Sequence, residues 1–143
     1  MQIISEKLQA HYECACGHLN KDQILGVFLY GSQNYNTDLP TSDVDSKAIY
    51  IPTLQELAFD KPVSVELELP NGEHCEVKDI WEMIKNFKKQ NINFVEILFT
   101  DFAIINPKYF QLWIFIFFTI EMKLQDMMYM RQFIVCLIKP LIH

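Results

Sequence analysis

Residues 24–32 read ILGVFLYGS and residues 42–51 read SDVDSKAIYI, and the fold turns on how these two segments are taken. The run from Ile24 to its last aromatic, Tyr30, is apolar without alternation, which suits a strand buried on both faces. It ends at Gly31-Ser32. Gly31 lets the backbone turn and come close to a ligand, while Ser32 adds a hydroxyl and a backbone N–H. A helix start just beyond would add oriented N–H groups, a geometry that binds phosphate. Residues 33–42 form a polar loop with Tyr35, Asn36, Asp38 and Pro40. Residues 43–51 return as a strand, which Pro52 ends. Strand side chains alternate, so Asp43 and Asp45 share a face, with their Cα atoms roughly 6 to 7 Å apart. Two like charges held that close repel, and a divalent cation between them relieves the repulsion. Mg²⁺ takes carboxylate oxygens together with substrate phosphates. The plainer alternative is two acids at a solvated strand end.

Composition narrows the class. The chain has 143 residues, 50% of them apolar and 21% charged, which fits one domain with a real core and excludes a disordered chain. Its net charge of −6 gives no basic field for non-specific binding to nucleic acid. The four cysteines, Cys14, Cys16, Cys75 and Cys136, are not spaced as a secreted disulfide framework. The first residues lack an apolar signal core, so a reducing cytoplasm is the expected setting.

Outward from the two strands, residues 3–16 read as a helix with Ile3, Ile4, Leu8 and Tyr12 as its stripe and Gly17 as its C-cap. His11, Cys14, Cys16 and His18 are zinc-ligand types, but they crowd into eight residues, and a helix sends 14 and 16 to different sides. A helix end with two unpaired thiols is the expected reading. Thr53 and Glu56 form a capping-box pattern for a short helix. Residues 63–69 alternate as a half-exposed strand, Pro70-Asn71-Gly72 marks a hairpin turn, and residues 74–78 form the return strand carrying Glu76. Asp79 then caps an amphipathic helix with the stripe Ile80, Met83, Ile84 and Phe87. Lys85, Lys88 and Lys89 lie on its polar side and in its last turn, as a solvated face or a small basic patch. Asn91 to Asn93 breaks that helix, and an apolar segment around Glu96 follows.

The C-terminal region stands apart. Residues 110–120, FQLWIFIFFTI, are apolar nearly all round yet too short for a membrane span of about 20 residues. Such a helix is expected to be buried in a larger protein or to be adhesive. Residues 122–143 continue as a Met-rich helical candidate. We therefore divide the chain into a domain over 1–109 and an apolar helical tail over 110–143, and expect the chain to be cut short or its sequence altered near residue 111.

Tyr30-Gly31-Ser32-Gln33-Asn34-Tyr35, followed by Ser42-Asp43-Val44-Asp45, resembles the signature of the polymerase-β-like nucleotidyltransferase superfamily: Gly-Ser, a variable gap, then Asp-x-Asp. More narrowly it is similar to nucleotidyltransferases of bacteria and phages with a Gly-Ser-x-x-Tyr-Gly element, in which a strand acid leads into a helix, an Asn-rich turn and an aliphatic-Glu-aliphatic stretch. Glu76, the helix from Asp79, Asn91 and Val95-Glu96-Ile97-Leu98 match those pieces. The similarity covers roughly residues 24–107. It departs at Asn36, where the narrower group has Gly.

The resemblance implies an α+β nucleotidyltransferase fold, a mixed central sheet with helices packed mainly on one face. It implies that Gly31 and Ser32 hold the triphosphate of a nucleoside triphosphate, and that Asp43 and Asp45 bind Mg²⁺ or Mn²⁺. Glu76 is the best match for a third carboxylate, catalytic and a ligand of the metal, with Asp79 as runner-up. Nucleotidyl transfer uses one metal to bridge phosphates and often a second to activate the attacking hydroxyl, and a third acid can assist deprotonation.

Two functions follow. One is an enzyme that moves NMP from an NTP to a hydroxyl or phosphate on RNA, protein or a small molecule. The other is an inactive nucleotide-binding or toxin–antitoxin-type protein of the same fold, with the apolar tail as the surface for a protein partner. Lys47, one strand step past Asp45 on its face, is either a phosphate contact or a surface lysine paired with the aspartates. Tyr35 either stacks on a base or packs in its loop. Glu96, a carboxylate in an apolar run, needs a hydrogen-bond partner, and His74 is structural or exposed.

Overall fold

The computed structural model describes residues 2–31, 43–60 and 64–125, with side chains at 5–31, 43–60 and 64–120. The readings of Ser32 and Tyr35, of the turn at Asn36 and of most of residues 122–143 therefore lie outside the described residues. Five strands form one mixed sheet: β1 (Ile24–Tyr30), β2 (Asp45–Tyr50), β3 (Val65–Glu68), β4 (His74–Asp79) and β5 (Ala103–Ile105). Their order is β3-β4-β2-β1-β5. β2 and β4 are parallel, and the other neighbours are antiparallel. The helices are α1 (Gln2–His18), α2 (Leu54–Ala58), α3 (Ile80–Lys88), α4 (Ile92–Phe99) and α5 (Phe110–Gln125).

The unbroken apolar run of β1 has the cause expected of it: β1 has a strand on each side and a core on each face. Ile24 and Val27 pack with Leu8, Ala15, Ala48 and Val77 on one face. Leu25 and Phe28 pack with residues of α3, α4 and α5 on the other. Among the described residues the helical cover is thus two-sided and unequal, with α1 opposite α3, α4 and α5. The buried line of α1 runs through Leu8, His11 and Ala15, so a histidine stands inside the stripe. Gly17 lies within α1 rather than beyond its end.

Local chemistry sets most element ends. Thr53 and Glu56 close a reciprocal capping box on α2. Asp79 Oδ1 accepts the N–H groups of Trp81 and Glu82 at 2.7 and 2.9 Å and caps α3. Gly72, at φ 83°, turns the β3–β4 hairpin where an L side chain would be strained. Asn91, read as a helix breaker, also starts the next helix: its side chain accepts from the Asn93 N–H and caps α4.

The aromatic tail enters the core. Trp113 of α5 lies 4.5 Å from Phe28 between ring centroids, and Ile116 is buried beside it. The other side of α5 leaves Phe110, Phe115 and Phe118 exposed. Among the described residues, no helix is long and apolar enough to cross a membrane.

Candidate functional site

The site face is built by three neighbouring strands in the order β4, β2, β1. Parallel pairing of β2 with β4 puts Asp45 opposite His74 and Lys47 opposite Glu76. Antiparallel pairing of β1 with β2 puts Tyr30 opposite Asp45. Side-chain alternation then collects Tyr30, Asp45, Lys47, His74 and Glu76 on one face. Asp43 is exposed and precedes β2, which starts at Asp45 rather than at residue 43.

Gly31 joins this face from the end of β1. It has φ 83°, and a Cβ placed on it would lie 3.8 Å from Asp45 Oδ2. Gly31 and Asp45, separated by a loop in sequence, therefore meet. The Gly31 N–H donates to Glu96 Oε2 at 2.9 Å, which gives the carboxylate in the apolar α4 the partner it requires.

Lys47 is not a surface lysine. It is 2% exposed, and its ammonium bonds the Glu76 carboxylate. It also lies 3.7 Å from the Tyr30 ring centroid and 5.1 Å from that of Phe94. Among the described residues its ion-pair partner is Glu76 rather than either aspartate. Its choice has a physical reason: the apolar walls of Tyr30 and Phe94 take up the stem, and the register aims the ammonium at Glu76. Glu76 also stands opposite Glu66 across the hairpin, a like-charged pair that Lys47 offsets from the other side.

The electrostatics of the face are negative. Burial, followed by the charges of Glu76, Asp45 and Glu66, pushes the Tyr30 phenol well above its ordinary range. Burial is also the main cause that raises the Asp45 carboxyl. Asp43 adds to that shift, while His74, His11 and Lys47 oppose it. A half-buried carboxylate raised by a like-charged neighbour is one that a cation would favour. In that respect Asp43 and Asp45 fit a hard divalent ion. Glu76, already neutralised by Lys47, does not stand with them. Among the described residues no three His, Cys, Asp or Glu side chains are gathered as a ligand set for a metal ion. Asp79, the runner-up for third carboxylate, is 5% exposed and bonded into the α3 cap.

Behind the sheet lies a second polar cluster. His11 is fully buried, with Nδ1 2.8 Å from Ser46 Oγ and Nε2 3.2 Å from Glu73 Oε2. Its sequence neighbours in the zinc reading go elsewhere: His18 Nδ1 meets the Cys14 carbonyl, and Cys14 and Cys16 are free thiols. Sequence reading gave Glu73 no role and His74 no place beside Asp45. The one signal for Glu73 was an acid directly after a tight turn, which is ordinary for a solvated hairpin. Cys75, between His74 and Glu76, is buried, and that burial pushes its thiol up to about 11. No family model, no curated protein and no solved structure matches this chain.

Proposed function

We propose that the chain is a Mg²⁺-dependent nucleotidyltransferase of the polymerase-β-like superfamily, moving NMP from an NTP to a hydroxyl or phosphate acceptor. The observation that carries the reading is the meeting of Gly31 with Asp45. Gly31, in the left-handed region just after β1, lies against Asp45 at the start of β2, so a phosphate at the turn would share a cation with Asp43 and Asp45. Mg²⁺ or Mn²⁺ held by Asp43 and Asp45 would offset the charge that builds on the leaving group.

In this reading Asp43 and Asp45 hold the cation, and the Gly31-Ser32 turn holds the triphosphate. Because the Gly31 N–H is already bonded to Glu96, the N–H groups from Ser32 onward are the donors left to the phosphates. Lys47 anchors Glu76 at the rim, and Glu76 assists proton removal from the acceptor once that pair loosens. Tyr35 is the residue this reading assigns to stacking on the base. The test is incubation with labelled NTPs, Mg²⁺ and RNA, protein or small-molecule acceptors. Transfer is expected from the wild-type chain and not from Asp43→Ala/Asp45→Ala; label that survives both substitutions refutes the metal assignment.

A second reading is favoured by two observations: Glu76 is neutralised by Lys47, and α5 exposes Phe110, Phe115 and Phe118. In it the chain binds nucleotide without transfer and pairs with another protein through α5. Mg²⁺-dependent thermal stabilisation by ATP without turnover distinguishes it from the first.

A further inference from the structure

The buried cluster behind the sheet touches the backbone of the aspartate pair. Glu73 is 4% exposed and follows the hairpin turn. Its Oε1 accepts from Lys7 Nζ at 2.9 Å and from the Val44 N–H at 3.3 Å. Its Oε2 accepts from Asn71 Nδ2 at 2.7 Å and from His11 Nε2 at 3.2 Å. Val44 is the residue between Asp43 and Asp45, and it is itself 1% exposed. The other end of the His11 ring reaches Ser46, the residue after Asp45. The Asp43–Ser46 stretch is thus held from behind at two points, while the Asp45 carboxylate lies on the opposite face of the sheet.

A buried carboxylate demands such partners on its own account. Burial alone would raise the Glu73 carboxyl, but the donors Lys7, Asn71 and His11 together hold it below its ordinary range, so it stands as a fixed anion. What needs a further reason is its bond to a backbone N–H at the entrance of β2. Val44 stands before the first ladder pair of β2, so the sheet does not fix that peptide. Asp43 and Asp45 repel, and an entrance held only by the loop before it would let them separate.

We propose that Glu73 is a positioning residue for the aspartate pair: its bond to the Val44 N–H fixes the backbone that carries Asp43 and Asp45 at the spacing a cation needs. The proposal rests on the metal reading given above. Partners that orient metal ligands from behind typically cost about 10–100-fold in metal affinity when removed.

The full chain is titrated with Mn²⁺ alone, followed by electron paramagnetic resonance, and exchange of the Val44 amide is measured without metal. Glu73→Ala is expected to lower Mn²⁺ affinity at least about 10-fold and to strip protection from the Val44 amide. Glu73→Gln, which still offers an oxygen to Val44, is expected to recover most of both. Lys7→Met removes another donor from the same carboxylate but keeps the Val44 bond, and is expected to leave both near wild type. An equal loss in Lys7→Met overturns the proposal, because general loosening then explains it. Wild-type Mn²⁺ affinity in Glu73→Ala overturns it while leaving the metal site standing. Absence of Mn²⁺ binding by the wild-type chain overturns the metal reading and this proposal together. Where circular dichroism shows Glu73→Ala unfolded, Glu73→Asp replaces it: withdrawing the charge by one methylene is expected to weaken Mn²⁺ binding, and unchanged affinity overturns the proposal.

Discussion

Breaking the Lys47–Glu76 pair from its two ends should have unequal costs. The Lys47 side chain is 3% exposed and that of Glu76 is 31% exposed. Glu76→Gln leaves a buried ammonium without its counter-charge, and removal of one partner from a buried pair typically costs 3–5 kcal/mol. The rings of Tyr30 and Phe94 remain over the ammonium, and their attraction places the loss at the low end, about 3 kcal/mol. Lys47→Met leaves a carboxylate that water already reaches, and the Met side chain fills the same slot between the rings. Its cost should be about 1 kcal/mol, the upper end for a pair whose surviving member is hydrated. The double variant should recover part of the Glu76→Gln loss, since no unpaired buried charge is left. In urea, with a slope of about 1.5 kcal/mol per M, Glu76→Gln should lower the midpoint by about 2 M and Lys47→Met by well under 1 M. Circular dichroism together with fluorescence of the buried Trp113 follows the transition. Equal midpoints for the two single variants, or a larger loss in Lys47→Met, would refute the assignment of Lys47 as the buried, dependent member.

Three further outcomes are expected. Asp79→Ala should destabilise the fold by about 1–2 kcal/mol through loss of the α3 cap, whereas Asp79→Asn keeps most of that stability. Asp79→Asn should also leave Mn²⁺ affinity unchanged, and a fall would make Asp79 the third carboxylate in place of Glu76. Asp45 has a raised carboxyl, so its protonated form is the one the fold favours. That contribution is fully present below the unfolded value and is lost as pH rises through the folded one. Asp45→Asn should therefore raise the metal-free melting temperature at pH 7 and have little effect well below the ordinary carboxylate range; an equal effect at both pH values contradicts the sign. Among the described residues the atom nearest a Cβ at Gly31 is Asp45 Oδ2 at 3.8 Å, so Gly31→Ala meets no clash there. Its cost should come from φ 83° alone, about 1–2 kcal/mol by thermal or urea unfolding.

What was legible beforehand was short in range. The Thr53–Glu56 box, the Asp79 cap and the turn at Gly72 each depend on residues within a few positions, so the chain states them directly. The alternation-free run of β1 stated its two-sided burial for the same reason, since apolar side chains on both faces require cover on both. The Asp43/Asp45 pair was read as two positions of one strand, whereas β2 starts only at Asp45 and Asp43 stands exposed before it. The companions of that pair were decided by the tertiary structure. Parallel pairing of β2 with β4 makes Lys47 the partner of Glu76 and sets His74 beside Asp45. Packing of α1 behind the sheet brings His11 to Ser46 and Glu73, across 35 and 62 positions. No local pattern encodes such contacts, because a lysine, a histidine or a glutamate reads alike in a buried pair and on a solvated surface. The sequence by itself determined that a glycine turn ends one strand and that an acid pair stands at the start of another; strand register and desolvation decided that the turn meets Asp45 and which charges are neutralised elsewhere.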